Sequence, residues 1–302
     1  VESCAPLMAR TAKVLDVFMK RTWVRDLSKT HIGMVDLPLL STPGLKQQLS
    51  GHPAVNLTLE QLESMEAAQR ENCVLVVQDP FTSYYEAQLV TDFVKLIEKL
   101  GYRPVLLPFS PNGKAQHVKG FLQRFARTAG KTAELLNRVA KLNIPMVGVD
   151  PATVLCYRDE YKEVLGDQRG EFNVQLVHEW LEHALAARSE QIASGEAWYL
   201  FAHCTEVTAL PSTPNQWQGI FARFGAKLEN INVGCCGMAG TYGHESKNLE
   251  NSLGIYELSW HPQLQKLPRQ RCLATGFSCR SQVKRAEGNG MRHPLQALLE
   301  MM

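Results

Sequence analysis

One order of short apolar runs and helical stripes occurs twice in this chain, and it confines the fold to parallel sheets flanked by helices. The first copy opens with Val74-Leu75-Val76-Val77, a continuous apolar run of β-branched character, as expected of a strand buried on both faces. After a loop over 78–85, Leu89, Phe93, Leu96, Ile97 and Leu100 form a helical stripe that stops at Gly101. Val105-Leu106-Leu107 reads as a second strand, residues 117–142 as helix broken around Gly130, and Pro145-Met146-Val147-Gly148-Val149 as a third strand running into Asp150-Pro151-Ala152-Thr153. This βαβαβ order is the mark of a parallel sheet with helices on its faces.

The second copy follows the same plan. Trp198-Tyr199-Leu200-Phe201 takes the place of the first strand, and Cys204 falls in the loop after it, where Pro80 stood. Trp217, Ile220, Phe221 and Phe224 make the stripe, residues 228–233 the second strand and residues 271–274 the third. Cys235-Cys236 follows the second strand as Phe109-Ser110 does in the first copy, and Cys279 stands at the position of Thr153. Val174, Leu176, Val177, Trp180, Leu181 and Leu185 fit an amphipathic helix bridging the copies. Ahead of both lies a helical arm: Leu7, Val14, Leu15 and Phe18 recur at helical spacing, and residues 57–70 open with Thr58 and Glu60 like a capped helix. The expected fold class is therefore α/β, two tandem repeats of a βαβαβ parallel-sheet unit preceded by a helical arm, with divisions at 1–72, 73–188 and 189–302.

Composition excludes several function classes. A net charge of +2 with both signs interspersed points to neither nucleic acid nor an anionic membrane. No stretch is apolar for long enough to span a bilayer, and residues 1–20 read as an amphipathic helix rather than a signal peptide. The chain opens on Val1 in mid-pattern, so it is expected to be a piece of something longer. Eight cysteines without a secretory signal argue for a reducing compartment, hence a cytoplasmic setting. Cys4, Cys73, Cys156 and Cys272 stand in apolar surroundings and read as buried structural thiols.

Cys204, Cys235, Cys236 and Cys279 remain, and they carry the chemistry. Adjacent thiols cannot easily bond each other, and Gly234, Gly237, Gly240 and Gly243 let the surrounding backbone approach a ligand closely. In a parallel sheet the loops after the strands gather along one edge, so these cysteines should converge. Clustered thiolates select zinc, copper(I) or iron-sulfur clusters, and ligand type alone does not choose between zinc and iron-sulfur. Unrelated thiols or a reversible disulfide are the competing readings. Gly237, through its amide, is a candidate for a hydrogen bond to the sulfurs, and His203 and His244, which flank the thiols in sequence, could ligate or hydrogen-bond a sulfur; a plain polar loop role competes for each histidine. His293-Pro294 reads as a cap or packing element. Asp79, Asp150 and Asp159 could face the corresponding edge of the first copy as acids or bases, and Arg158-Asp159-Glu160 is by default a charged run with a solvated or interface role. Dinucleotide, phosphate-loop, nucleophile-elbow and zinc-helix motifs are all missing.

The arrangement of Cys204, Cys235-Cys236-Gly237 and Cys279, with residues 149–155 and Arg158-Asp159-Glu160-Tyr161 in the other copy, resembles the tandem cysteine-rich CCG domains. These occur in heterodisulfide reductase subunits, the anaerobic glycerol-3-phosphate dehydrogenase small subunit and lactate-utilisation proteins. Residues 235–243 look especially like the glycerol-3-phosphate group. Pro6-Leu7-Met8-Ala9 and Gly33-Met34-Val35-Asp36 look like a segment of large bacterial FAD-linked oxidases of the D-2-hydroxyglutarate dehydrogenase type. That resemblance implies an oxidoreductase in which this chain is the C-terminal part and the flavin active site lies elsewhere. It implies an iron-sulfur cluster of 4Fe-4S type on Cys204, Cys235, Cys236 and Cys279, with FAD in the parent protein only. The implied partners are flavin and ferredoxin-like domains and an electron acceptor such as a quinone, with a place peripheral to the inner membrane open as well. The alternative is a zinc-bound or metal-free scaffold that docks those domains. Two departures bear on this: Gly276 replaces the first cysteine of the usual carboxy-terminal CxxC, and Pro80, Phe109, Ser110 and Thr153 replace every ligand of the first copy. With four cysteines rather than five, a non-cubane cluster is not expected.

Overall fold

The computed structural model describes residues 21–35, 38–189, 191, 195 and 197–302. The expected helix with Leu7, Val14, Leu15 and Phe18, and Cys4 with it, lie outside the described residues. The chain divides into two compact units, one built mainly from Pro43–Ala184 and the other mainly from Leu185–Met301.

In the first unit, α1 (Leu59–Ser64) begins in a capping box: Thr58 Oγ1 accepts from Gln61 N at 3.2 Å, and Gln61 Oε1 accepts from Thr58 N at 2.9 Å. Strand β1 (Cys73–Val77) is buried along its whole length, as a central parallel strand must be. It runs into α2 (Pro80–Tyr85), where a loop was expected; Asp79 caps that helix and Pro80 supplies its first turn, a pairing that favours helix over loop. Next come α3 (Ala87–Lys99), β2 (Arg103–Leu106) and α4 (Leu122–Ala140). The break expected at Gly130 is absent. It falls instead at residues 119–121, after a short helix Lys114–Val118, and α4 passes through Gly130 because the face carrying Phe125, Ala129, Ala133 and Leu136 is buried. Burial of those side chains outweighs the roughly 1 kcal/mol that an interior glycine costs.

Strand β3 (Met146–Gly148) leads to α5 (Pro151–Arg158). The bridging helix expected from Val174 is corrected as well. Val174–Leu176 is a fourth strand, β4, paired with β3, and α6 begins only at Val177 and ends at Ala184. The sheet is wholly parallel with the order β2-β1-β3-β4.

The second unit repeats the centre of that plan. Strand β5 (Trp198–Phe201) is followed by α7 (Cys204–Ala209), α8 (Thr213–Ala222), β6 (Leu228–Asn230), α9 (Leu249–Leu264), β7 (Cys272–Ala274), α10 (Phe277–Glu287) and α11 (Pro294–Glu300). The sheet order is β6-β5-β7, all parallel, so the chain leaves β5 on one side and returns on the other. Leu200 lies opposite Asn230, and Phe201 opposite Ala274. The three strands therefore end together, and the edge beyond them is the crevice that open parallel sheets use for ligands. His293 caps α11, accepting from Leu295 N at 3.1 Å through Nδ1.

Candidate functional site

The edge beyond β5, β6 and β7 is where the four cysteines lie. Cys204 opens α7 and Cys279 sits in the first turn of α10, so two of the four stand on helices rather than in the expected loops. Cys235 and Cys236 lie in the irregular segment after β6.

That segment is held in shape from below. Gly234 N donates to Ser259 Oγ at 3.2 Å, and Trp260 Nε1 donates to Gly234 O at 2.9 Å, both from α9. Ser252 Oγ donates to Gly237 O at 2.8 Å, while Gln282 Nε2 of α10 donates to Ser252 O at 3.1 Å. Gly237 takes φ +87, and a Cβ there would lie 2.1 Å from the Ser252 carbonyl oxygen. Both the turn and the closeness of α9 demand glycine. Further on, Arg285 Nη1 donates to Gly243 O at 2.6 Å and Nη2 lies 2.9 Å from His244 Nδ1. Residues 33–35 run alongside: Val35 N donates to His244 O at 2.7 Å, and Ser246 N donates to Gly33 O at 2.8 Å.

The sulfurs meet in sequence. Cys235 lies within hydrogen-bonding reach of both Cys204 and Cys236, and Cys236 of Cys279. Gly237 N donates to Cys235 Sγ at 3.3 Å. These donors, the Cys204 thiol first, hold Cys235 far below a thiol's ordinary 9.0, so it is a thiolate at neutral pH. Cys204 and Cys236 are pushed up, chiefly because each donates to Cys235 and then because burial disfavours their charge. Cys236 and Cys279 are buried with Phe201, Met238, Tyr256 and Trp260; Cys235 is half-buried and Cys204 is exposed. No three His, Cys, Asp or Glu side chains among the described residues are laid out as a metal-binding set. The thiols instead touch in pairs along the run. Soft sulfur donors of this kind are the type that thiophilic metals take.

Of the candidate supports, Gly237 makes the expected amide contact, and His203 stands close enough to act electrostatically on Cys235. His244 Nδ1 accepts from Arg285 and its carbonyl accepts from Val35 N, which makes it an anchor of the glycine-rich segment. Sequence reasoning passed over Ser252, Ser259 and Gln282. No local pattern marks them, because each acts on a partner distant in sequence.

The first unit fills the same places without thiols. Pro80 is buried in the first turn of α2, Phe109 packs edge-on against Tyr84 with ring centres 5.0 Å apart, Ser110 Oγ lies 2.6 Å from Thr132 Oγ1, and Thr153 N donates to Asp150 Oδ2 at 3.1 Å.

No family model matches the chain. Over all 302 residues it is 79% identical to part of a D-2-hydroxyglutarate dehydrogenase from Pantoea ananatis and, over the same length, 70% identical to one from Escherichia coli. The chain spans 30% of the length of these relatives. Its counterpart in them is a segment of a larger oxidoreductase. A more distant likeness, 23% identity over 243 residues covering 78% of this chain and 60% of the relative, links it to a subunit of the anaerobic glycerol-3-phosphate dehydrogenase from Escherichia coli. No helix among the described residues is long and apolar enough to cross a membrane.

Proposed function

We propose that this chain is the electron-transfer part of a larger FAD-dependent D-2-hydroxy-acid dehydrogenase, of the D-2-hydroxyglutarate or D-lactate type, with Cys204, Cys235, Cys236 and Cys279 holding an iron-sulfur cluster of 4Fe-4S type. The observation that carries this reading is the unbroken run of sulfur contacts from Cys204 through Cys235 and Cys236 to Cys279 at the carboxyl edge of a parallel sheet. The dehydrogenase names of the relatives support the reaction class. A cluster bound here would supply one-electron storage between the flavin of the larger protein and an acceptor such as a quinone.

The chain's own residues do the rest. Cys235 offers a ready anionic ligand, and the Gly237 amide donates to its sulfur, the kind of hydrogen bond that raises a cluster's potential. Phe201, Met238, Tyr256 and Trp260 close the inner side against water. Cys204, on the exposed side, marks the face toward which a flavin domain, a ferredoxin-like domain or a soluble carrier would bring electrons. A cytoplasmic protein that meets its acceptor at the inner membrane fits this arrangement.

The four donors would also hold zinc, and the chain would then be a scaffold. Elemental analysis and electron paramagnetic resonance of anaerobically purified full-length protein separate the two. Iron with a cluster signal that is lost in a Cys236→Ser variant is the expected result. Zinc in a one-to-one ratio, with no such signal, would establish the scaffold instead.

A further inference from the structure

Within each unit the same two positions face one another, and the two units fill them differently. The residues preceding the helices after the central and third strands are Asp79 and Asp150 in the first unit, His203 and Gly276 in the second. In the first unit two buried carboxyls face one another. In the second, a Cβ built on Gly276 would lie 2.2 Å from His203 Cδ2 and 2.8 Å from its Cγ. Gly276 has φ −88 and ψ 138, ordinary extended backbone open to any residue. The backbone therefore does not require glycine here; the imidazole does.

That imidazole is fixed from several directions. His203 N donates to Thr275 Oγ1 at 2.9 Å, and His203 Nε2 lies 3.2 Å from Ser278 Oγ. Thr275 Oγ1 in turn donates to Glu206 Oε2 at 2.5 Å, and Glu206 is buried. His203 adjoins Cys204 in the chain, and Ser278 adjoins Cys279. The His203–Ser278 contact thus ties together the two outermost thiols of the run, which follow different strands.

We propose that His203 is a positioning residue for the thiol site: seated over the bare Cα of Gly276 and joined to Ser278, its ring sets the spacing between Cys204 and Cys279 and so the firmness with which the four thiols take a thiophilic metal. The ring also occupies the space a side chain at 276 would need, which closes the set at four sulfurs. This rests on the metal-binding reading above.

The test uses full-length protein reconstituted with Zn²⁺, with the alkylation rate of each cysteine by iodoacetamide read from its own peptide by mass spectrometry. Cys272, buried in β7, serves as the internal measure of an intact fold. In the parent, Zn²⁺ should slow alkylation of Cys204 and Cys235, the two accessible thiols of the run. Gly276→Ala evicts the ring and His203→Ala deletes it; each should raise the Zn²⁺ concentration needed for half-protection roughly tenfold or more, the range found when groups that orient metal ligands are lost. The double variant H203A/G276A should match His203→Ala alone, because the methyl then meets no ring. If Gly276→Ala exposes Cys272, His203→Ala and the double variant decide the matter. Parent-like protection in His203→Ala, or additive losses in the double variant, would overturn the positioning role while leaving the metal site standing. Absence of protection in the parent would overturn the metal site and this role together.

Discussion

Replacing Asp79 by Asn should stabilise the first unit at alkaline pH, a reversal of the usual effect of altering a helix cap. Asp79 is 2% exposed; its Oδ1 accepts from Phe81 N at 2.8 Å and Thr82 N at 2.9 Å, and its Oδ2 from Thr82 Oγ1. Burial first, and then the neighbouring charge of Asp150, push its carboxyl up from an ordinary 3.8 to about 7. A carboxyl whose affinity for its proton rises on folding favours the folded state at low pH. That advantage is fully present below about pH 4 and is lost as pH climbs through 7. From these two values the loss between pH 5 and 8 comes to about 2–3 kcal/mol. Asparagine keeps the Oδ1 acceptor for the helix, carries no charge and can donate toward Asp150. Hydrogen exchange of peptides spanning β1 and β3, corrected for intrinsic rates, reports the local opening free energy at each pH. The parent should show the decline and Asp79→Asn a nearly flat profile, with the variant the more stable of the two at pH 8. An unchanged slope, or a variant at least about 1 kcal/mol less stable than the parent at pH 8, would refute the reasoning.

Other outcomes follow from the same geometry. Gly237→Ala forces a Cβ against the Ser252 carbonyl at a positive φ, so it should cost about 2 kcal/mol or more and show as a lowered melting temperature with increased Cys235 reactivity. Arg158→Ala removes a two-pronged contact with Glu179, at 2.9 and 2.5 Å, and a donor to Val174 O at 2.8 Å. A loss of about 1–3 kcal/mol should appear as faster exchange in β4. His293→Ala deletes the α11 cap and should cost about 1 kcal/mol, measured by urea unfolding.

The duplicated plan was legible because continuous apolar runs and helical stripes are set by burial, which sequence records directly. Strand β4 was not, since Val174–Leu176 runs without a turn into α6 and its apolar residues suit a helical stripe equally well. Asp79-Pro80 did carry a helix signal, an acidic cap before a first-turn proline, but a helix of 6 residues is too short to show a periodic stripe. The break near 119–121 came with Gly120, which takes a positive φ, whereas Gly130 sits on a helix face with open space beside it. At the candidate site, topology sufficed to group Cys204, Cys235, Cys236 and Cys279 as residues of one sheet edge. The dependence of Gly276 on His203, and the hold of Ser252 and Gln282 on the glycine-rich segment, are contacts across long separations that leave no local trace.

The most direct test of the account is the iron and acid-labile sulfide content of anaerobically purified full-length protein, measured beside its Cys236→Ser variant. Cys236 is the buried link between Cys235 and Cys279, so its loss should remove one cluster's iron and sulfide while the remaining metal of the protein stays in place. Equal iron and sulfide in parent and variant would contradict the claim that these four thiols hold a cluster.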